Sequence, residues 1–170
     1  MINLIVDDIE IKAEEGKSVL QVCLENGIFI PNMCFIKTRE HPHASCRLCF
    51  VEIDSNGRPV TSCTEKVREG LVVRTDTPQV RRLQRMGFKL LMSAHHRDPK
   101  ECAVKGSCQL IRIAKHLKVG LKSRPLELLE RDIDEEVDLT FFTYYPFRCV
   151  LCGKCVYVSR QKNDHDPLTF

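Results

Sequence analysis

The sequence predicts an α+β fold: a small sheet of turn-linked strands with one short crossing helix, followed by a helical segment. Three observations carry this expectation. Strand-like runs occur in pairs near the N-terminus, with a Ser-capped apolar run between the pairs. After Thr77-Pro78 the apolar spacing changes from alternation to the helical period.

Taken in order, residues 2–13 alternate about Asp7-Asp8 and read as a hairpin with an acidic turn. Ser18, after Gly16, has the chemistry of an N-cap for a short helix through Val19 and Leu24, which Gly27 closes. Pro31 begins an irregular loop that runs from Cys34 to Cys46. A strand is expected over Arg47–Ile53, a turn at Asp54-Ser55-Asn56-Gly57, a return over Arg58–Cys63, and a last strand at Leu71–Arg74. Thr77 and Pro78 mark a helix start, with Val80, Leu83, Gly87, Leu90, Leu91 and Ala94 on one face. Arg81, Arg82 and Arg85 then read as a solvated face. A second helix is expected over Gln109–Leu117, and the acidic stretch Glu127–Asp138 reads as a connector.

Hydrophobic residues make up 43% of the 170-residue chain, enough for a core, but Trp is absent and aromatics are only 6%. A small domain so poor in aromatics is a candidate for a metal or cluster staple. The net charge of +3, from 26 basic and 23 acidic residues, is too even to point to nucleic acid as a partner. No run approaches the roughly 18 uninterrupted apolar residues of a membrane helix, so membrane insertion is not expected. Met1 leads directly into Ile2–Val6 without a basic n-region or cleavage site, so no signal peptide is expected and a cytoplasmic setting is inferred. No glycine-rich phosphate or dinucleotide loop occurs, so no flavin or nicotinamide site is expected in the chain itself.

Ten cysteines are the outlying feature, and in a reducing compartment closely spaced cysteines read first as metal or cluster ligands. Cys46 and Cys49 are separated by two residues, with Cys34 eleven residues before the pair and Cys63 thirteen after it. Four thiolates converging from a loop and a return strand satisfy a [2Fe–2S] core, two per iron, in a spacing unlike the plant-type ferredoxin run. Structural zinc is the competing reading, although zinc sites usually join two close dyads, whereas here one dyad is flanked by single cysteines. Cys23, alone among apolar helix neighbours, is expected to be ordinary core.

The run Cys34-x11-Cys46-Arg47-Leu48-Cys49-x13-Cys63-Thr64, then Gly70 and the Thr77–Ala94 helix, resembles the N-terminal module of a family of electron-transfer proteins. The family includes the large iron–sulfur subunit of respiratory complex I, [FeFe]-hydrogenases, NAD-linked formate dehydrogenases and the small diaphorase subunit of NAD-linked hydrogenases. The resemblance covers essentially the whole chain. It implies a [2Fe–2S] ferredoxin-like (β-grasp) domain at 1–76, a helical His/Cys3-type segment at 77–120, a connector at 121–146 and a truncated bacterial-ferredoxin-like segment at 147–170.

The chain departs from that pattern twice. The second site of the family reads His-x3-Cys-x2-Cys-x5-Cys; here His95, Cys102 and Cys108 match, but Pro99 occupies the first cysteine position. Three ligands remain, for a [4Fe–4S] cluster completed from outside or a [3Fe–4S] cluster, and the favoured expectation is a scaffold without a cluster. The third site keeps Cys149, Cys152 and Cys155 of a Cys-x2-Cys-x2-Cys-x3-Cys run, with Ser159 in the fourth position. Either a partner chain supplies the missing ligand or the motif is vestigial.

The implied function is single-electron relay within a multi-subunit NAD(P)H- or ferredoxin-linked oxidoreductase, without a catalytic site of its own. The implied partners are a flavoprotein NAD(P)H-oxidising subunit and other iron–sulfur subunits. The alternatives are a structural or regulatory subunit stabilised by its cluster, and a zinc-stabilised interaction domain.

Overall fold

The computed structural model describes residues 1–54, 57–95, 102, 105–121 and 136–162. Strands β1 (Ile2–Val6) and β2 (Ile9–Ala13) form the expected hairpin. Asp7 and Asp8 turn it with φ of 48° and 68°, the left-handed pair that matches strand twist in a two-residue turn. Helix α1 (Val19–Glu25) follows, its first turn capped by the Ser18 hydroxyl, which accepts from Gln21 N at 3.2 Å. Strands β3 (Phe50–Ile53), β4 (Arg58–Thr61) and β5 (Val72–Arg74) complete a sheet of order β2-β1-β5-β3-β4. Only the β1–β5 pair is parallel, and the sheet grips α1 in the β-grasp manner.

Alternation selects the buried face. Leu4, Val6, Ile11, Ala13, Val51, Ile53 and Val73 pack against Val19, Leu20, Val22 and Cys23 of α1 to form a first core. Cys23 is ordinary core, as its apolar neighbours implied: it is wholly buried, and burial pushes its thiol up to about 12.

Helices α2 (Pro78–Ser93) and α3 (Gln109–Leu117) build a second core with the long loop, in which Phe88, Leu110, Ile113, Ala114 and Leu117 surround Met33 and Leu48. The Thr77 cap and the α3 limits fall where the sequence places them. The face of α2 does not. Gln84 is only 2% exposed whereas Leu90 is 55% exposed, so the buried stripe runs through Val80, Gln84, Gly87 and Phe88. Gln84 is drawn inward because its side-chain amide donates to Phe50 O at 2.9 Å. Arg85 is likewise not free in solvent, since its Nε donates to Leu117 O at 3.0 Å and satisfies a terminal carbonyl of α3.

A second difference lies in the strand expected over Arg47–Ile53, which begins only at Phe50. Arg47 is left-handed, with φ of 49°, and breaks the extended backbone before it. The turn expected at 54–57 includes Ser55 and Asn56, which lie outside the described residues, as does most of the acidic stretch. Beyond it, β6 (Val137–Leu139) and β7 (Phe142–Tyr144) form an unforeseen hairpin, and helix α4 (Lys154–Lys162) closes the described chain. Among the described residues no helix is long and apolar enough to cross a membrane.

Candidate cluster site

The first four cysteines are positioned by backbone bonds that the two cores hold in place. Cys49 precedes β3, and its carbonyl accepts from both the amide (2.9 Å) and the hydroxyl (2.7 Å) of Ser62. That pair extends the β3–β4 ladder by one step and sets Cys63, the next residue, beside Cys49. Helix α1 secures the same segment from the other side. Two of its otherwise unpaired N-terminal amides, Val19 N and Leu20 N, donate to Glu65 O and Ser62 O at 2.8 and 2.9 Å. Cys34 and Cys46 come from the ends of the irregular loop, where left-handed Ala44 and Arg47 reverse the chain on either side of Ser45 and Cys46.

The four thiols are buried, between 2% and 5% exposed, and they fall into two pairs. Cys34 Sγ and Cys46 Sγ are 3.4 Å apart, and Cys49 bonds Cys63 through their side chains. Thiolates on one tetrahedral metal at about 2.3 Å sit about 3.8 Å apart, so the Cys34–Cys46 pair is near the spacing of two ligands on one iron. Cys34 and Cys46 belong to the second core, Cys49 and Cys63 to the first, so the site lies on the seam between them.

Within each pair the two thiols are shifted in opposite directions. The hydrogen bond between Cys34 and Cys46 holds the Cys34 thiol down at about 5, helped by the amides of Ser45 and Cys46. Cys46 itself is pushed far up by that same bond and by burial. Cys49 is lowered by its bond to Cys63, and Cys63 is raised by it and by burial. Metal binding needs deprotonated thiols, so a bound cation displaces the protons these pairs hold.

This donor set fits a binuclear cluster better than a mononuclear ion. A structural zinc site needs all four thiolates about one centre, whereas two thiol pairs suit two irons.

The other candidate residues are not gathered in this way. His95 lies just beyond α2, the carbonyl of Cys102 accepts from Lys105 N at 3.2 Å, and Cys108 stands at the start of α3, where it packs on the second core. Pro99 and His96 lie outside the described residues. Cys149 follows a 3-10 turn and accepts from Leu151 N at 3.4 Å, Cys152 touches the second core, and Cys155 and Ser159 ride on α4. Cys155 is exposed.

Two features of the site could not be foreseen from the sequence. Cys63 borders a surface cleft of about 160 Å³ that is rimmed by Lys37, Thr38, Arg39 and Lys66. Tyr157 of α4 reaches back to that rim: its hydroxyl lies 3.3 Å from Thr38 O, and the Arg39 guanidinium sits 5.5 Å from its ring. Long-range contacts of this kind carry no local sequence signal. Gly87 was detectable, since a glycine inside a helical pattern usually has a packing reason.

Residues 1–78 match the family described as 2Fe-2S iron-sulfur cluster binding domain. The chain is 32% identical over 156 residues to an NADH-quinone oxidoreductase subunit of Rickettsia prowazekii, covering 92% of this chain and 23% of that one. It is 30% identical over 161 residues to the alpha subunit of NADPH-Fe(3+) oxidoreductase of Geobacter sulfurreducens, covering 95% and 19%. It is 26% identical over 161 residues to the gamma subunit of the NAD-reducing hydrogenase HoxS of Cupriavidus necator, covering 95% and 67%. The chain therefore spans about a quarter of the length of the first of these relatives. A crystal structure of NAD+-reducing [NiFe]-hydrogenase in the H2-reduced state superimposes with a TM-score of 0.75 at 28% identity, covering 95% of this chain and 67% of that chain. Residues 1–78 are thus similar to a 2Fe-2S iron-sulfur cluster binding domain, and nearly the whole chain is similar to these oxidoreductase subunits.

Proposed function

We propose that the chain relays single electrons within a multi-subunit NAD(P)H- or ferredoxin-linked oxidoreductase, with Cys34, Cys46, Cys49 and Cys63 as the ligands of its [2Fe–2S] cluster. The observation that carries this reading is the arrangement of four buried thiols as two pairs on the seam between two cores. When bound, such an all-thiolate cluster exchanges one electron at low potential, about −400 mV in plant-type ferredoxins. The chain's own residues do the rest. The amides of Ser45, Cys46 and Leu48 direct their dipoles at ligand sulfurs, which stabilises the added negative charge of reduction. Ile30, Leu48, Val67 and Phe88 exclude water. The cleft beside Cys63 gives a redox partner its approach, through a rim that carries more positive than negative charge.

On this reading the cluster domain occupies 1–76, and the segments 77–120, 121–146 and 147–170 are the helical, connecting and ferredoxin-like parts. The partners are a flavoprotein that oxidises NAD(P)H and further iron–sulfur subunits, in the cytoplasm. The assignment rests on the relatives' names as subunits of NADH-, NADPH- and NAD-linked enzymes. Its test is EPR of the anaerobically purified, dithionite-reduced protein. A [2Fe–2S] signal that reoxidises on mixing with the co-purifying flavoprotein is expected. Stoichiometric zinc without iron, or a reduced cluster inert to every co-purifying subunit, would sink the proposal.

A second reading, a cluster that serves mainly to stabilise the fold, is favoured by the division of ligands between two cores. It predicts that Cys63→Ser lowers the melting temperature while leaving turnover of the assembled complex unchanged. The relay reading predicts loss of both.

A further inference from the structure

We propose that helix α2 forms one wall of the cluster site, and that Gly87 is a positioning residue for the Cys46–Cys49 turn. The proposal rests on the assignment of Cys46 and Cys49 as ligands.

Gly87 is buried in the middle of a 16-residue helix, where glycine is a poor helix former, and its backbone does not need glycine's freedom. What it lacks is a side chain, and that lack is used. A Cβ at this position would lie 2.4 Å from Arg47 O, 3.1 Å from Arg47 C and 3.5 Å from Cys46 O. All three neighbours are backbone atoms, so no rotamer change relieves the overlap. Even a methyl group must displace either the helix or the turn. Gly106 and Gly120, by contrast, have nothing within 4 Å of an added Cβ.

The peptide in contact with Gly87 is the one that matters chemically. Its carbonyl belongs to left-handed Arg47 and rests on the helix; its amide belongs to Leu48, whose dipole lowers the Cys46 thiol. One rigid plane therefore joins the helix to the surroundings of a ligand sulfur. The depth of α2 is fixed on both sides of Gly87. Gln84 donates to Phe50 O at 2.9 Å, and Phe88 packs among Cys34, Cys46 and Leu48. A tilt of that peptide turns away a backbone dipole that favours the reduced, more negative state, so the potential falls.

The experiment uses the full chain carrying its cluster, prepared anaerobically as wild type, Gly87→Ala, Gly120→Ala and Cys63→Ser. For Gly87→Ala the expected result is wild-type far-UV circular dichroism, altered g-values, a midpoint potential moved in the negative direction, and roughly tenfold faster cluster loss to a chelator. Gly120→Ala should match the wild type in all four. Wild-type g-values and potential in Gly87→Ala would overturn the proposal. If that variant does not fold, Gln84→Met tests the same wall without adding a clash: a smaller negative shift supports the proposal, and an unchanged potential overturns it. A Cys63→Ser chain that keeps the wild-type spectrum overturns the ligand assignment instead, so the two failures are told apart.

Discussion

The thiols of Cys34, Cys46, Cys49 and Cys63 lie buried on segments pinned to two hydrophobic cores, whereas Cys102, Cys108, Cys149, Cys152 and Cys155 are half-buried or exposed on a loop, a helix start and the region of α4. The difference is not one of motif density, since Cys-x2-Cys-x2-Cys is the tighter spacing of the two. It lies in what holds the backbone. The first set is fixed by ladder bonds, a helix N-terminus and the floor of α2, all independent of metal. In the second set the cysteines range from half-buried to exposed. A preorganised set binds a cluster without ordering the chain at that moment; a dispersed set must be ordered by the cluster or by a partner.

This contrast can be broken most directly at its strong end. Cys63→Ser should reduce bound iron and sulfide by roughly tenfold or more and abolish the wild-type [2Fe–2S] signal. Quantitative iron and sulfide analysis with EPR checks it. A Cys63→Ser chain that still holds about two irons with an unchanged spectrum would remove the distinction between the two sets.

Next in size is Gln84→Leu, which strips Phe50 O of a buried donor where α2 meets the sheet. A cost of about 1–3 kcal/mol is expected, read as a shift in the denaturant midpoint with the m-value unchanged. Gln84 lies outside the ligand set, so a stability loss that also releases iron would sharpen the case that the second core holds the site.

Tyr157→Phe removes the hydroxyl that reaches Thr38 and leaves the ring beside Arg39. Because the bond is exposed, about 0.5 kcal/mol is expected in the same denaturant assay. A much larger loss would mean that the region of the third motif supports the cluster loop.

The smallest expected effect is that of Cys149→Ser, Cys152→Ser and Cys155→Ser combined. The [2Fe–2S] signal and its potential should not change. If total iron instead starts well above about two per chain and falls to that figure in the triple variant, the dispersed cysteines do acquire a cluster.

Much of the fold was legible because local chemistry decided it. The Asp7-Asp8 turn, the Ser18 and Thr77 caps and the limits of α3 each follow from residues within a few positions. The four-cysteine grouping was legible as a pattern, but its division into pairs was not, because Ser62 and the α1 amides that set it are remote from Cys34 and Cys46. The face of α2 was misjudged because apolar character alone places Leu90 inside. The partner is instead the backbone of the cluster turn, which demands a glycine at 87 and a hydrogen-bond donor at 84. The hairpin at Val137–Tyr144 had no core to mark it, with Phe141 almost fully exposed and Phe142 more than half so.

On the proposed ligand assignment, division of the thiol pairs between the two cores would also give bound iron a reporting role. The five-stranded sheet can close around α1 on its own contacts, and α2 with α3 can gather the second core on theirs. Only when the halves are seated against each other do the two thiol pairs meet at one seam. Retained iron is then a proof of assembly: a chain with either half misplaced should shed its colour, so absorbance sorts finished molecules from unfinished ones. Hydrogen exchange of the colourless fraction, with α2 amides opening ahead of those in β1, is the measurement that checks it.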